Sequence, residues 1–395
     1  MGRKISEQVT WVGKVDWELD KFHGNEYSTW RGSSYNSYLV RDEKIALIDT
    51  VWKPFARDFV DNLKKEIDLS AIDYIIANHA EIDHSGALIE LMKAIPDKPI
   101  YCTKSGAKAL KGHYHQDWNF IEVKTGDTLD LGHNKLIFVE AKLLHWPDSM
   151  FTYLTGEDIL FSNDAFGQHY ASEMLFNDLV DQAELYQEAL KYYANILTPF
   201  SPLVIKKIQE VLALNLPLKM ICPSHGVIWR EEPLQIANQY LAWADNYQEN
   251  QITLLYDTMW EGTRRMAEAI AEGIREADHE VVVKMYNTAK TDKNDLLTEI
   301  FKSKAFLVGS PTINNGLLYS VAGIIEMIKG LKFKQKKAAG FGCYGWSGES
   351  VKLITEELGK TGASVVDEGI RELWNPDQDA LERCRAYGRN FVHKL

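Results

Sequence analysis

The segment Asn78-His79-Ala80-Glu81-Ile82-Asp83-His84-Ser85-Gly86 carries four ligand-type side chains within six residues. Imidazole nitrogens and carboxylate oxygens are donors for borderline and hard metal ions. In an extended segment His79, Glu81 and Asp83 project to one side, because side chains alternate with period two. His84, starting a helix, then approaches from another side. Adjacent buried carboxylates repel and raise each other's pKa, and cations between them remove that cost. Three later segments add donors, each in a polar break beside a strand: Leu144-His145-Trp146-Pro147-Asp148, Ser162-Asn163-Asp164-Ala165-Phe166-Gly167 and Pro223-Ser224-His225-Gly226. The set His79, His84, His145, His225, Glu81, Asp83 and Asp164 is too large for one tetrahedral zinc, which takes about four ligands. It implies two metals sharing a carboxylate. Asp164 is the bridge candidate, having two oxygens to share.

Three loops in the second half suit a different ligand. Asp257-Thr258-Met259-Trp260-Glu261-Gly262-Thr263-Arg264 follows a strand and opens a helix. Hydroxyls at Thr258 and Thr263 and free backbone N–H groups at the helix start suit a phosphate. Glu261 beside a phosphate is unfavourable, so its side chain is expected to point outward. The chain has no Gly-rich dinucleotide fingerprint, which favours a mononucleotide over NAD. The second loop is Gly309-Ser310-Pro311-Thr312-Ile313-Asn314-Asn315-Gly316, and the third is Phe341-Gly342-Cys343-Tyr344-Gly345-Trp346-Ser347-Gly348-Glu349. Small residues let backbone approach a planar ring, and Trp346 offers an aromatic wall. Taken alone, the aromatics are equally well explained as core packing.

Two kinds of architecture must position these groups. In the first half, Ser34–Val51 reads as two strands about a turn at Asp42-Glu43-Lys44, and Phe55–Ile67 has helical apolar spacing. Strands are expected at 74–77, 100–103, 120–123, 135–140, 150–154, 159–162 and 219–222, and long helices near 179–197 and 203–214. Two sheets with helices outside would bury these runs, as a layered α/β sandwich. From about Gln251 the chain alternates strand and helix, with strands at 252–256, 281–286, 305–308, 337–341 and 364–366. That predicts a five-stranded parallel sheet, which binds ligands at the C-terminal ends of its strands. The expected domains are 1–250 and 251–395, divided in the polar stretch Gln248–Gln251.

The 395 residues amount to two to three domains at roughly 150 residues each. Lys plus Arg is 44 against 56 Asp plus Glu, a net charge of −12. That balance argues against bulk affinity for nucleic acid or anionic membranes. No apolar run approaches the roughly 18–20 residues of a membrane span, and the polar start lacks the apolar core of a signal peptide. Cys102, Cys222, Cys343 and Cys384 are widely spaced, without the CxxC pairs of a rubredoxin or zinc ribbon. They read as reduced thiols in a cytoplasmic protein.

The first-half layout resembles the metallo-β-lactamase-like αββα sandwich, whose zinc hydrolases carry His-x-His-x-Asp-His. Here Glu81 replaces the second His, and a hard anionic oxygen favours iron over zinc. The pattern His-x-Glu-x-Asp-His, followed by LHWPDSM, SNDAFGQH and PSHG, resembles the flavodiiron (A-type flavoprotein) family over nearly the whole chain. The resemblance extends to a flavodoxin-like, doubly wound second domain. It implies two non-haem irons, one on His79, Glu81 and His145, the other on Asp83, His84 and His225, with Asp164 bridging. In some members the residue matching His84 swings away and water replaces it.

The resemblance also implies FMN in the three loops, with Trp260-Glu261 where flavodoxins usually have Thr-Gly. It implies reduction of O2 to water or of NO to N2O. It further implies a head-to-tail homodimer or dimer of dimers, with Trp146 and Trp346 near the junction between subunits. The electron donor would be separate, a rubredoxin first and a reduced deazaflavin coenzyme second. A zinc-dependent hydrolase with a flavodoxin-like appendage is the rival enzyme, and an electron carrier with a vestigial metal site is the non-enzymatic one. Of the other histidines, His23 and His169 are candidates to orient ligands or donate protons. His113 and His115 are expected in a polar loop, Gly112–Asp117, away from metal. His133, His279 and His393 are expected in solvent.

Overall fold

The computed structural model describes residues 2–395. They form two compact units, each built around its own sheets. One holds the chain up to Tyr192 together with Phe200–Leu241, and the other holds Tyr193–Pro199 with Ala242–Leu395. Residues 242–250 and the turn 193–199 thus group with the second unit, where the sequence reading placed them in the first. Packing explains the difference: the Tyr193 ring lies 5.5 Å from Trp243 and 5.8 Å from Phe301. Asn195 and Asn294 also exchange hydrogen bonds, Asn195 Nδ2 donating to Asn294 O at 3.2 Å and Asn294 Nδ2 to Asn195 Oδ1 at 3.0 Å.

In the first unit a seven-stranded sheet runs in the order Arg3–Lys4, Val9–Trp11, Tyr38–Arg41, Ile45–Ile48, Tyr74–Ile76, Ile100–Thr103, Phe120–Val123. Its last four strands are parallel. A five-stranded sheet runs Thr128–Asp130, Lys135–Glu140, Met150–Leu154, Ile159–Asn163, Met220–Pro223. Strand alternation builds the sandwich. Tyr38, Val40, Ala46, Ile48 and Ile76 face Phe138, Met150, Leu154 and Phe161 of the other sheet. Leu39, Leu47 and Ile75 turn the opposite way, against Phe59, Leu63, Leu88 and Leu91 of the outer helices. Full burial of each such side chain stabilises by about 1.5–3 kcal/mol. The αββα arrangement expected from the sequence is present.

The second unit is a parallel sheet in the order Val282–Asn287, Glu249–Tyr256, Ser303–Gly309, Lys337–Tyr344. The fifth position holds two segments rather than the single strand expected at 364–366. Ser364–Val365 pairs with the start of Lys337–Tyr344, and Ile370–Leu373 pairs with its end. Gly369 interrupts them at a φ of +81°, where a Cβ would meet Gly340 O at 2.3 Å. One face packs Ile252, Leu254, Leu307 and Phe341 against the helices Gly262–Ala277 and Gln378–Val392. These two helices touch backbone to backbone: a Cβ on Gly388 would lie 2.2 Å from Ile270 O.

Candidate metal centre and flavin loops

The metal candidates sit at one end of the sandwich, on loops that leave the strands. His79 follows Tyr74–Ile76, Asp164 follows Ile159–Asn163, and His225 follows Met220–Pro223. The first segment differs from its expected geometry. A short helix, Ile82–Ser85, begins before Asp83, with Glu81 as the extended residue ahead of it. His79, Glu81 and Asp83 therefore do not share a side. The helical turn carries Asp83 and His84 to a second group.

Two donor groups result, His79, Glu81, His145 and Asp164 in one, and Asp83, His84 and His225 in the other. Within each group the donor atoms lie within 4.8 Å of one another. Asp164 faces both groups. Its Oδ2 lies 3.5 Å from His79 Nε2 and 3.3 Å from His145 Nε2, and its Oδ1 lies 3.0 Å from His84 Nε2 and 3.5 Å from His225 Nε2. Asp83 Oδ2 approaches His84 Nε2 at 3.2 Å and His225 Nε2 at 3.1 Å. His84 points into the second group and does not swing away.

The donor set asks for cations. Asp83 Oδ1 and Asp164 Oδ2 are covered and lack a hydrogen-bond partner. Burial disfavours charge on His84, yet Asp83 and Asp164 raise its pKa to about 9. Burial also opposes ionisation of Asp164, but His84, His145 and His79 pull its pKa well below the carboxylate range.

A supporting layer, absent from the sequence reading, aims these ligands. Asp148 Oδ2 accepts from His79 Nδ1 at 2.9 Å and from Ala80 N at 2.7 Å, which turns His79 Nε2 inward. His225 Nδ1 donates to Ser34 O at 2.7 Å. Asp49, with φ at +52°, gathers the loop roots. Its Oδ1 accepts from Asn78 N at 2.8 Å, and its Oδ2 from Asn78 Nδ2 at 3.0 Å and Asn163 Nδ2 at 3.4 Å. Thr50 donates through N and through Oγ1 to His84 O, each at 2.7 Å.

Asp148 lies inside a quoted motif, to which the sequence reading assigns only His145 as a ligand. Asp49 stands alone between a strand and a turn and carries no local signal. The His23 Nε2 pairs with Glu81 Oε1 at 2.8 Å, and the His169 ring packs 5.1 Å from that of His225. His113 is not in a loop: the helix Lys104–Tyr114 includes it, with His115 as a left-handed cap. His113 joins His23, Trp52, Glu81, Asp83 and Trp146 in lining a cavity of about 410 Å³ beside the donors.

In the second unit, the three loops leave the C-terminal ends of adjacent parallel strands. Thr258 Oγ1 is covered and unpartnered, and Thr263 is fully buried at the first turn of the helix Gly262–Ala277. Such an orphan acceptor and donor at a helix start fits a phosphate. Glu261 points outward to Arg264 Nη1 at 3.0 Å, as expected. The other two loops are tied together: Thr312 N donates to Cys343 O at 3.2 Å, and Thr312 Oγ1 to Ser350 Oγ at 3.0 Å. Asn314 and Asn315 are left-handed, and Gly316 N closes the turn on Ile313 O at 2.7 Å. Ser310 is fully buried, its Oγ donating to Pro311 O. Gly348, at φ +80°, packs on Tyr344.

Of the loop aromatics Phe341 is core, but the tryptophans are not. Trp260 is 88%, Trp346 86% and Tyr319 83% exposed. Trp374, which the sequence reading missed with the strand before it, stands beside Gly345.

A two-metal donor set on an αββα sandwich, in one chain with a parallel sheet bearing mononucleotide loops, defines a redox protein of the metalloflavoprotein class. The comparisons place it further. Residues 34–226 match the ODP family beta lactamase model, and 254–388 match flavodoxin. The anaerobic nitric oxide reductase flavorubredoxin of Klebsiella pneumoniae is 56% identical over 392 residues, covering 99% of this chain and 81% of that protein. Its Escherichia coli counterpart is likewise 56% identical, with 82% of its length covered. Rubredoxin oxygen:oxidoreductase from Desulfovibrio gigas superposes with a TM-score of 0.96 at 35% identity, covering 100% of both chains. The flavodiiron protein of Giardia intestinalis does so at 0.94 and 34%, covering 100% of this chain and 96% of that one.

The chain belongs to the flavodiiron protein family and is an oxidoreductase. The cofactors are those of the family, FMN in the flavodoxin-like unit and a non-haem diiron pair in the sandwich. Among the described residues no helix is long and apolar enough to cross a membrane.

Proposed function

We propose that this chain reduces NO to N2O, or O2 to water, at two irons held by His79, Glu81 and His145 and by Asp83, His84 and His225, with Asp164 between them. The observation that carries this reading is Asp164 itself, whose two oxygens face separate donor groups. The chemistry supplied by the bound groups is Lewis-acid capture of the diatomic together with electrons, two for a pair of NO and four for O2.

The chain's own residues do the rest. Asp148 and Ser34 O fix the ring orientations of His79 and His225. His23 holds Glu81 at the cavity wall. The cavity leaves room for a diatomic at the donors. Thr258, Met259, Trp260, Glu261, Gly262 and Thr263 form the phosphate loop for FMN. Ser310, Pro311, Thr312, Asn314, Asn315 and Gly316, with 342–348, frame its ring. The exposed Trp260, Trp346 and Trp374 support a flavin edge that meets a partner surface. That surface is taken to be a second copy in a head-to-tail homodimer, with a separate rubredoxin as electron donor, in the cytoplasm.

Elemental analysis and absorption spectroscopy of protein from iron-replete cells test the reading. About two irons and about one FMN per chain are expected, followed by consumption of O2, or of NO under anaerobic conditions. Zinc with little iron would overturn it in favour of a hydrolase.

A further inference from the structure

His225 reaches the second donor group on the loop Pro223-Ser224-His225-Gly226, which turns at Gly226 with φ at +75°. The loop is buried, so each of its carbonyls needs a donor. Asn36, itself fully buried, lies in the break between the strands Ser33–Tyr35 and Tyr38–Arg41. It donates through N to Ser224 O at 2.7 Å. Its Nδ2 donates to Pro223 O at 2.9 Å and to Gly226 O at 3.0 Å. The side-chain amide thus spans the loop from end to end, with His225 inside the span. Its orientation is forced: Trp11 Nε1 lies 2.8 Å from Asn36 Oδ1, and an indole N–H can only donate. The oxygen therefore faces Trp11 and the amide hydrogens face the loop. Two other side chains bond to these carbonyls, but each holds one end. Tyr38 donates to Pro223 O at 2.7 Å, and Ser34 Oγ to Gly226 O at 3.3 Å. Among the described residues Asn36 has no bond to the segments of His79, Glu81 or His145.

We propose that Asn36 is a positioning residue for the second metal site, its side-chain amide setting where His225 stands and so governing retention of that metal and not of the first. This rests on the two-metal reading above. Asn36 acts through the loop backbone, while Ser34 O, accepting from His225 Nδ1 at 2.7 Å, sets the ring. Asn36→Asp keeps the size and the acceptor for Trp11. It replaces both amide hydrogens with a carboxylate oxygen facing two carbonyl oxygens, an arrangement without a donor. Asn36→Ala removes the span without adding repulsion. Tyr38→Phe is the control, since Pro223 O keeps its bond from Asn36.

Anaerobic iron(II) titration of the full chain against a competing chelator counts the sites and their affinities. Electron paramagnetic resonance of the cobalt(II)-loaded chain reads whether the bound ions are paired or isolated. The parent and Tyr38→Phe should hold about two irons, and Asn36→Asp should keep about one, binding the other about 10–100-fold more weakly. Asn36→Ala should move in the same direction, and cobalt in both Asn36 variants should be isolated where the parent's is paired. A loosened fold weakens both sites together, so equal weakening of the two irons overturns the inference. An unchanged second site, or paired cobalt in the variants, overturns it too. Circular dichroism of the metal-free variants reads the fold: if neither Asn36 variant folds, the residue serves folding and the inference falls. A parent chain that binds a single metal overturns the two-metal reading and this inference with it.

Discussion

Replacing Asp148 separates ligand orientation from fold. Its Oδ2 takes two donors, His79 Nδ1 and Ala80 N, at 2.9 and 2.7 Å, and the carboxylate is almost wholly buried. Burial alone would raise its pKa, but His79 and the Ala80 N–H bring it below the usual carboxylate value, so the group is ionised. Asp148→Asn keeps the shape and removes the charge. Loss of such an outer partner typically costs 10–100-fold in metal affinity, or about 1.4–2.7 kcal/mol. Asp148→Ala leaves both buried donors without an acceptor, at about 1–3 kcal/mol each. The alanine variant should therefore also destabilise the metal-free chain, by about 2–6 kcal/mol. Iron(II) affinity is read anaerobically by chelator competition, and stability by urea unfolding of the metal-free protein. If Asp148→Asn binds iron within twofold of the parent, the reasoning fails. Packing against Trp146, 5.4 Å from the His79 ring, would then suffice to aim the ligand.

Three further outcomes follow from packing and charge. Gly388→Ala places a methyl 2.2 Å from Ile270 O and should destabilise by about 1–3 kcal/mol. Gly323→Ala, which meets nothing within 4 Å inside the helix Tyr319–Leu331, should instead stabilise by about 0.5–1 kcal/mol, and urea unfolding of both is the check. The Asp42 hydrogen bond and charge raise the pKa of His133. Its contribution is therefore complete below about 6.5 and lost as pH rises through the raised folded value. A urea midpoint difference between parent and His133→Asn that grows from about pH 6 to 9, rather than shrinks, would contradict that sign.

The strands of the sandwich were legible because alternation survives burial: Leu39 and Val40 face opposite layers and the sequence shows it. Ile370–Leu373 was not legible, because a four-residue edge segment behind Gly369 has no long apolar run. The donor set was visible as a list of residue types. Its partition was not, since one turn of helix at Ile82 decides whether Asp83 joins Glu81 or His84. Asp49 and Asp148 escaped notice for another reason. Their partners, Asn78 and Asn163 for Asp49 and the His79 ring and Ala80 N–H for Asp148, lie far along the chain, so no local spacing reports these bonds. His113 is expected in the polar stretch Gly112–Asp117, yet the helix runs through Gly112 to Tyr114.

The bonds from Asp49 to Asn78 and Asn163 bear on maturation. Loops that are tied by protein groups at their roots stand ready before any ion arrives, unlike small metal domains that are unfolded until loaded. The roots of the loops that carry His79 and Asp164 are held by bonds within the chain, so their shape does not depend on the ions they present donors to.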